Sequence, residues 1–178
     1  MSDEDLKTAL LQAMTAYFGK DRRRIDHAAK VTAYAEKLLE PEGGDYPVVI
    51  AAAILHDIGI HEAERKYGST SGKYQEIEGP PIARRILTNL GFPPNQIEEV
   101  CDIIGHHHSP GKITSRNFAI LYDADWLVNL RDEFGIQYRD KLVGVIEKVF
   151  LTESGKALAR ELYLSLSPVS KEVTSPDE

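Results

Sequence analysis

Apolar positions recur at helical spacing along most of the chain, and the apolar/polar alternation of a half-buried strand is nearly absent. Leu6, Leu10, Ala13, Met14 and Tyr17 form one stripe, ended by Gly19, and predict an amphipathic first helix. Asp21 precedes a second, in which His27, Val31, Ala35, Leu38 and Leu39 share a broad face before Pro41 and Gly43-Gly44 close it. The next run, Val48-Val49-Ile50-Ala51-Ala52-Ala53-Ile54-Leu55, is apolar on every side and belongs in the middle of a fold. It ends at His56-Asp57 and is stopped by Gly59. Residues 60 to 75 lose the periodicity and carry Gly68, Ser69, Ser71 and Gly72, so they read as mostly loop.

Ile82, Ala83, Ile86, Leu87 and Leu90 then mark a helix with Pro80-Pro81 in its first turn and Gly91 at its end. Pro93-Pro94-Asn95 opens another, with Ile97, Val100, Cys101 and Ile104 inward, which runs into His106-His107-His108. Residues 115 to 131 place Leu121, Ala124, Asp125 and Val128 on one side, and two more amphipathic helices follow, near 136 to 150 and 154 to 166. The pattern predicts an all-α chain of about seven helices in a single domain, residues 1–166, with a flexible polar tail over 167–178.

A length of 178 residues is enough for one domain with a sizeable core. The net charge of -7 and the lack of a basic stripe argue against a nucleic-acid polymer as partner. Arg22-Arg23-Arg24 reads as a solvated helix start. No stretch reaches the roughly 18 apolar residues of a membrane span, and the polar N-terminus is unlike a signal peptide, so no membrane association and a cytoplasmic location are expected. The single cysteine, Cys101, excludes an intramolecular disulfide and sits among apolar neighbours like a small core residue.

The chemistry begins at His56-Asp57. A carboxylate ending an apolar run is costly unless its charge is compensated, and a metal ion compensates it. Imidazole and carboxylate suit Zn, Mn and Fe. The plainer alternative is a helix end with a capped Asp and a solvated His. His27 on an apolar face, the three consecutive histidines, and Asp125 four residues after Leu121 are anomalies of the same kind. Singly, each reads as a hydrogen-bonded core histidine or a capping acid; a shared buried cation accounts for all of them at once.

In this order, His27, His56-Asp57 and Asp125 resemble the signature of the HD-domain superfamily of metal-dependent phosphohydrolases. Arg24-Ile25-Asp26-His27-Ala28-Ala29-Lys30-Val31 is similar to the family's first motif, Leu55-His56-Asp57-Ile58-Gly59 to its second, and Asp123-Ala124-Asp125-Trp126-Leu127 to its last. The resemblance covers residues 20–131. It implies a compact helical bundle whose metal-binding core spans those residues, with a divalent ion (Mn, Fe, Zn, Co, Ni or Mg) held by His27, His56, Asp57 and Asp125. It further implies hydrolysis of a phosphate ester by a metal-activated water. Many members carry two more histidines for a second ion. Ile103-Ile104-Gly105-His106-His107 is similar to one of those motifs and points to His106 as an extra ligand, with His107 next. At the other, Gln75 stands where a histidine is usual, with Glu76 and Glu78 nearby, so either a glutamate replaces it or the second ion is weak or missing. One firmly held ion is expected. Ile60 replaces a lysine frequent in relatives, a charge that Lys66 or Lys73 could supply.

In this reading Asp57 is a bridging or proton-accepting carboxylate, and His106 and His107 orient phosphate or protonate the leaving oxygen. Lys73, Arg84 and Arg85 are candidate phosphate contacts, and His61 and Glu62 face the pocket or are solvated. The expected substrate is a small phosphorylated metabolite or nucleotide. Two alternatives stay open: a phosphodiesterase for a signalling nucleotide, which needs two metals, and a metal- or nucleotide-binding sensor without turnover. The C-terminal helices could pair in a homodimer.

Overall fold

The computed structural model describes residues 1–133 and 139–165, so the expected tail and the start of the helix placed at 136 lie outside the described residues. Among those described, nine helices and no strand are present: α1 (Asp3–Phe18), α2 (Arg22–Glu42), α3 (Tyr46–Leu55), α4 (Ile60–Tyr67), α5 (Gly72–Asn89), α6 (Pro94–Ile104), α7 (Arg116–Glu133), α8 (Arg139–Val149) and α9 (Glu153–Leu164). The chain is all-α, as its periodicity implies. No described helix is long and apolar enough to cross a membrane.

α3 is the axis of the bundle. Every residue from Val48 to Leu55 is buried, and the helix packs against α1, α2, α6 and α7. The doublet at its end is therefore carried to the centre of the molecule. α2 and α7 lie antiparallel beside it. A Cβ at Gly44 would meet Ile120 Cδ1 at 2.5 Å, so the end of α2 meets the start of α7, while His27 near the start of α2 meets Asp125 farther along α7.

Two segments differ from expectation. Residues 60–67 form a helix, not a loop: only Ile60 and Ala63 point inward, too few to print a period on the sequence. α5 starts at Gly72, so Pro80 and Pro81 lie in its middle instead of its first turn. Its first half turns Gln75 and Glu78 inward, and a polar inward face carries no apolar stripe. The close approach of α5 to the turn after α3 is set by glycines. A Cβ at Gly59 would lie 2.5 Å from Gly79 N and 2.9 Å from the Gln75 carbonyl oxygen, and one at Gly79 would lie 2.7 Å from Ile104 Cγ2.

The two acids of Asp123-Ala124-Asp125 separate by function. Asp123 faces α9 and is fully buried; it accepts from Leu151 N (2.8 Å), Thr152 N (2.8 Å) and Thr152 Oγ1 (2.6 Å). Thr152 in turn caps α9 by accepting from Gly155 N at 2.9 Å. Asp123 thus ties the α8–α9 connection to α7. Asp123→Ala would leave three buried donors unpaired, with an expected loss of about 3 kcal/mol in urea unfolding. A loss below roughly 0.5 kcal/mol, the range of an ordinary surface substitution, would show that the tie is not structural.

Candidate metal centre

Four side chains from α2, the turn after α3, and α7 converge. His27 Nε2 lies 3.2 Å from His56 Nε2, 3.1 Å from Asp125 Oδ1 and 3.5 Å from Asp57 Oδ2. His56 Nε2 lies 3.5 Å from Asp57 Oδ2 and 3.4 Å from Asp125 Oδ1. The His56 ring is fixed from behind, because its Nδ1 donates to the Ala53 carbonyl at 2.8 Å and leaves Nε2 facing the other three groups. Donors that share a first-row ion at bond lengths near 2.1 Å lie about 3.0 Å apart in octahedral cis positions and about 3.4 Å apart in a tetrahedron. These separations match that spacing: His27, His56 and Asp57 form a group that could hold such an ion, and Asp125 Oδ1 lies within 3.4 Å of both imidazoles.

A second group adjoins the first. One donor atom each from Asp57, His107 and His108 lies within 4.8 Å of the others. His107 Nδ1 donates to the Ile104 carbonyl at 2.7 Å, and its Nε2 points at Asp57 Oδ1 from 3.5 Å. That nitrogen is buried without a hydrogen-bond partner among the described residues, a cost that a ligand would remove. Asp57 therefore stands between the two groups, Oδ2 toward one and Oδ1 toward the other.

Electrostatics explain why the cluster calls for positive charge. Burial disfavours imidazolium at His56, yet Asp57, Asp125 and the Ala53 carbonyl outweigh it and push the pKa up to about 9. Burial works to raise Asp57 and Asp125, but the neighbouring imidazoles overcome it and hold both carboxyls low. Asp123 is the contrast: burial pushes it up to about 6 in spite of its hydrogen bonds. The doublet also sits at the C-terminal end of α3, where the helix dipole adds negative potential.

Other sequence candidates fall elsewhere. His106, favoured over His107 as the extra ligand, belongs to neither group; its Nδ1 donates to the Asp102 carbonyl at 2.8 Å. One step along the turn after α6 rotates the side chain away and brings His107 in. Glu76 accepts from His108 N (3.0 Å) and Ser109 Oγ (3.0 Å), and Glu78 accepts from Lys66 (2.8 Å) and Tyr67 (2.9 Å). Of the three positions near the missing histidine only Gln75 reaches the site, its Nε2 donating to Thr70 O at 2.7 Å and its Oε1 lying 3.3 Å from His108 Nε2.

Arg84 pairs with Glu98, Lys73 lies over the Tyr74 ring at 4.6 Å, and Arg85 lines a different cavity with Glu62 and Lys66. Neither Lys66 nor Lys73, the candidates for the charge missing at Ile60, lines the cavity over the cluster. His61 Nε2 donates to Asp21 Oδ2 across 2.7 Å, and Glu62 pairs with Arg65.

The cations at the site come instead from α2. A cavity of about 350 Å³ opens over His27, Asp57 and Asp125, and Arg23, Arg24 and Lys30 line it. Two members of the triplet read as solvated thus face the site. The available signal was spacing: Arg23, His27 and Lys30 are four and three residues apart, one stripe of a helix.

Comparison with known proteins agrees with this geometry. Residues 24–130 match the model of the HD domain, and the chain belongs to the HD-domain family. A crystal structure described as a predicted HD superfamily hydrolase from an uncultured Thermotogales bacterium is similar over 87% of this chain and 83% of its own, with a TM-score of 0.65 and 28% identity. No curated protein matches the chain. HD domains bind divalent metals, and the two groups of residues could hold one.

The charge balance of the cluster has a direct consequence for stability. Mn²⁺ added to chelator-stripped protein should stabilise the fold, by about 2.7 kcal/mol when free ion reaches a hundred times its dissociation constant. Denaturant titration should show this gain in the wild type and in His106→Ala and its loss in Asp125→Ala. An undiminished gain in Asp125→Ala would place the ion elsewhere.

Proposed function

We propose that this chain is a metal-dependent hydrolase that holds one divalent cation between His27, His56, Asp57 and Asp125 and cleaves a small phosphate ester. The observation that carries the reading is that the ring nitrogens of His27 and His56, from two elements, lie 3.2 Å apart and each within 3.5 Å of one oxygen of Asp57 and one of Asp125. Membership of the HD-domain family and the similarity to an HD superfamily hydrolase support it.

A divalent cation in this position supplies Lewis-acid polarisation of a phosphoryl oxygen and lowers the pKa of a water near it. The chain's own residues supply the rest. Asp57, with one oxygen in the cluster and the other toward His107, is placed to accept the proton of the attacking water. His107, fixed by the Ile104 carbonyl, faces that second oxygen from 3.5 Å. Arg23, Arg24 and Lys30 bind phosphate oxygens at the cavity mouth. The water oxygen becomes bonded to phosphorus as the ester P–O bond breaks, and the alcohol leaves with a proton. The overall acidity of the protein does not oppose such a substrate, because local groups set the potential in the cavity.

The second group, Asp57, His107 and His108, favours one other reading: a second ion, and with it diester cleavage. The neutral amide of Gln75, where relatives have an imidazole, makes that site the weaker one.

The test is purified, EDTA-stripped protein reloaded with Mn²⁺, Co²⁺, Mg²⁺ or Zn²⁺ and assayed against phosphomonoesters, cyclic nucleotides and dinucleotides. Monoesters should be turned over, EDTA should abolish the reaction, and Asp57→Ala should lower kcat/KM by more than about a hundredfold. Preferred cleavage of cyclic or dinucleotides would favour the two-metal reading. Tight metal binding with no turnover of any ester would overturn both and leave a sensor module.

A further inference from the structure

A second cavity, of about 170 Å³, adjoins the one over the cluster; Lys30 and Val128 line both. Its other walls are Tyr34 from α2, Leu127 and Arg131 from α7, and Tyr163 from α9. The two cavities differ in chemistry. Over the cluster, Asp26, Asp57 and Asp125 offset the cations of α2. In the adjoining cavity two cations and two phenol rings meet, and among the described residues no carboxylate lines it.

Among the described residues, the side chains of Lys30 and Arg131 form no ion pair or hydrogen bond. Elsewhere on the protein Lys66 and Arg84 are held by glutamates, whereas these two cations face a cavity. The Tyr163 hydroxyl donates to the Leu127 carbonyl, which sets its ring as a wall of the cavity. Tyr34 packs half-buried against the core, with Lys37 Nζ 5.6 Å from its ring centroid, and presents a second ring. Cations without acids gather anions, and rigid phenol rings favour a ring-shaped partner.

We infer that this cavity receives the non-reacting end of the substrate, and that this end carries a ring and a second anionic group. The inference rests on the reading that ester cleavage occurs at the cluster. Lys30, at the junction, contacts the phosphate at the cluster and the anion beyond it, and Arg131 is the specificity-determining residue for the distal anion. A guanidinium suits that task because it offers paired donors to phosphate or carboxylate.

The test compares adenosine 3′,5′-bisphosphate with adenosine 5′-monophosphate, using 4-nitrophenyl phosphate as the ester without a second anion. In metal-loaded wild type, kcat/KM for the bisphosphate should exceed that for the monophosphate by roughly tenfold. Arg131→Gln should remove this preference through KM and leave 4-nitrophenyl phosphate turnover within about twofold, the size of an ordinary surface change. Arg131→Lys should restore most of it.

Calorimetry on metal-stripped protein provides a readout independent of turnover, with the bisphosphate bound roughly tenfold tighter by wild type and not by Arg131→Gln. If no ester is cleaved but this binding difference is present, the anion cavity stands and the hydrolase reading falls. If 4-nitrophenyl phosphate is cleaved but both comparisons are flat, the cavity inference falls and the hydrolase reading stands. A preference unchanged in Arg131→Gln overturns the assignment of that residue.

Discussion

Two carboxylates, each with an oxygen 3.1–3.5 Å from the ring nitrogens of two adjoining imidazoles, are tolerable only if positive charge sits among them. That constraint organises the molecule around it. α3 is apolar on all sides, so it occupies the centre and delivers His56 and Asp57 to the floor of the cavity, His56 fully buried and Asp57 partly so. α2 and α7, antiparallel beside it, each contribute one side chain from an otherwise apolar face. Glycines at 59 and 79 let backbone approach backbone where a Cβ could not fit, which carries Gln75 up to the same site. The packing that stabilises the fold is also what desolvates the cluster and gives it its demand for charge.

Charge is distributed with similar economy around that centre. Asp123 and Asp125 are two residues apart on one helix, yet one is satisfied by three local donors and the other faces two imidazoles. The acids of the cluster attract a cation; the basic stripe of α2 stands just outside it and attracts an anion. A phosphate ester satisfies both. Lys66 and Arg84, farther from the cluster, are committed to glutamates, while the α2 stripe and the α7 guanidinium face the two cavities.

Much of this was legible in the sequence, and the failures have physical causes. Helical periodicity and the uniformly apolar run before the doublet carried the all-α fold and the central place of α3. The order His27, His56-Asp57, Asp125 pointed to residues that the structure does bring together. α4 and the first half of α5 escaped because their inward positions are few or polar: Ile60 and Ala63 in one, Gln75 and Glu78 in the other. Among three consecutive histidines, spacing cannot say which faces inward, since each step turns the side chain by about 100°. Nor can it reveal that Arg84 meets Glu98 or that Lys73 lies over Tyr74, because those partnerships are made by tertiary packing. The Arg23–His27–Lys30 stripe was visible in principle and was obscured by the ordinary solvated reading of an arginine triplet.

The most direct measurement is anomalous diffraction from crystals grown with Mn²⁺ or Zn²⁺, recorded on both sides of the metal edge. The account requires an anomalous peak enclosed by His27 Nε2, His56 Nε2, Asp57 Oδ2 and Asp125 Oδ1. A fully loaded crystal with no peak there, or with its strongest peak outside this cluster, would contradict it.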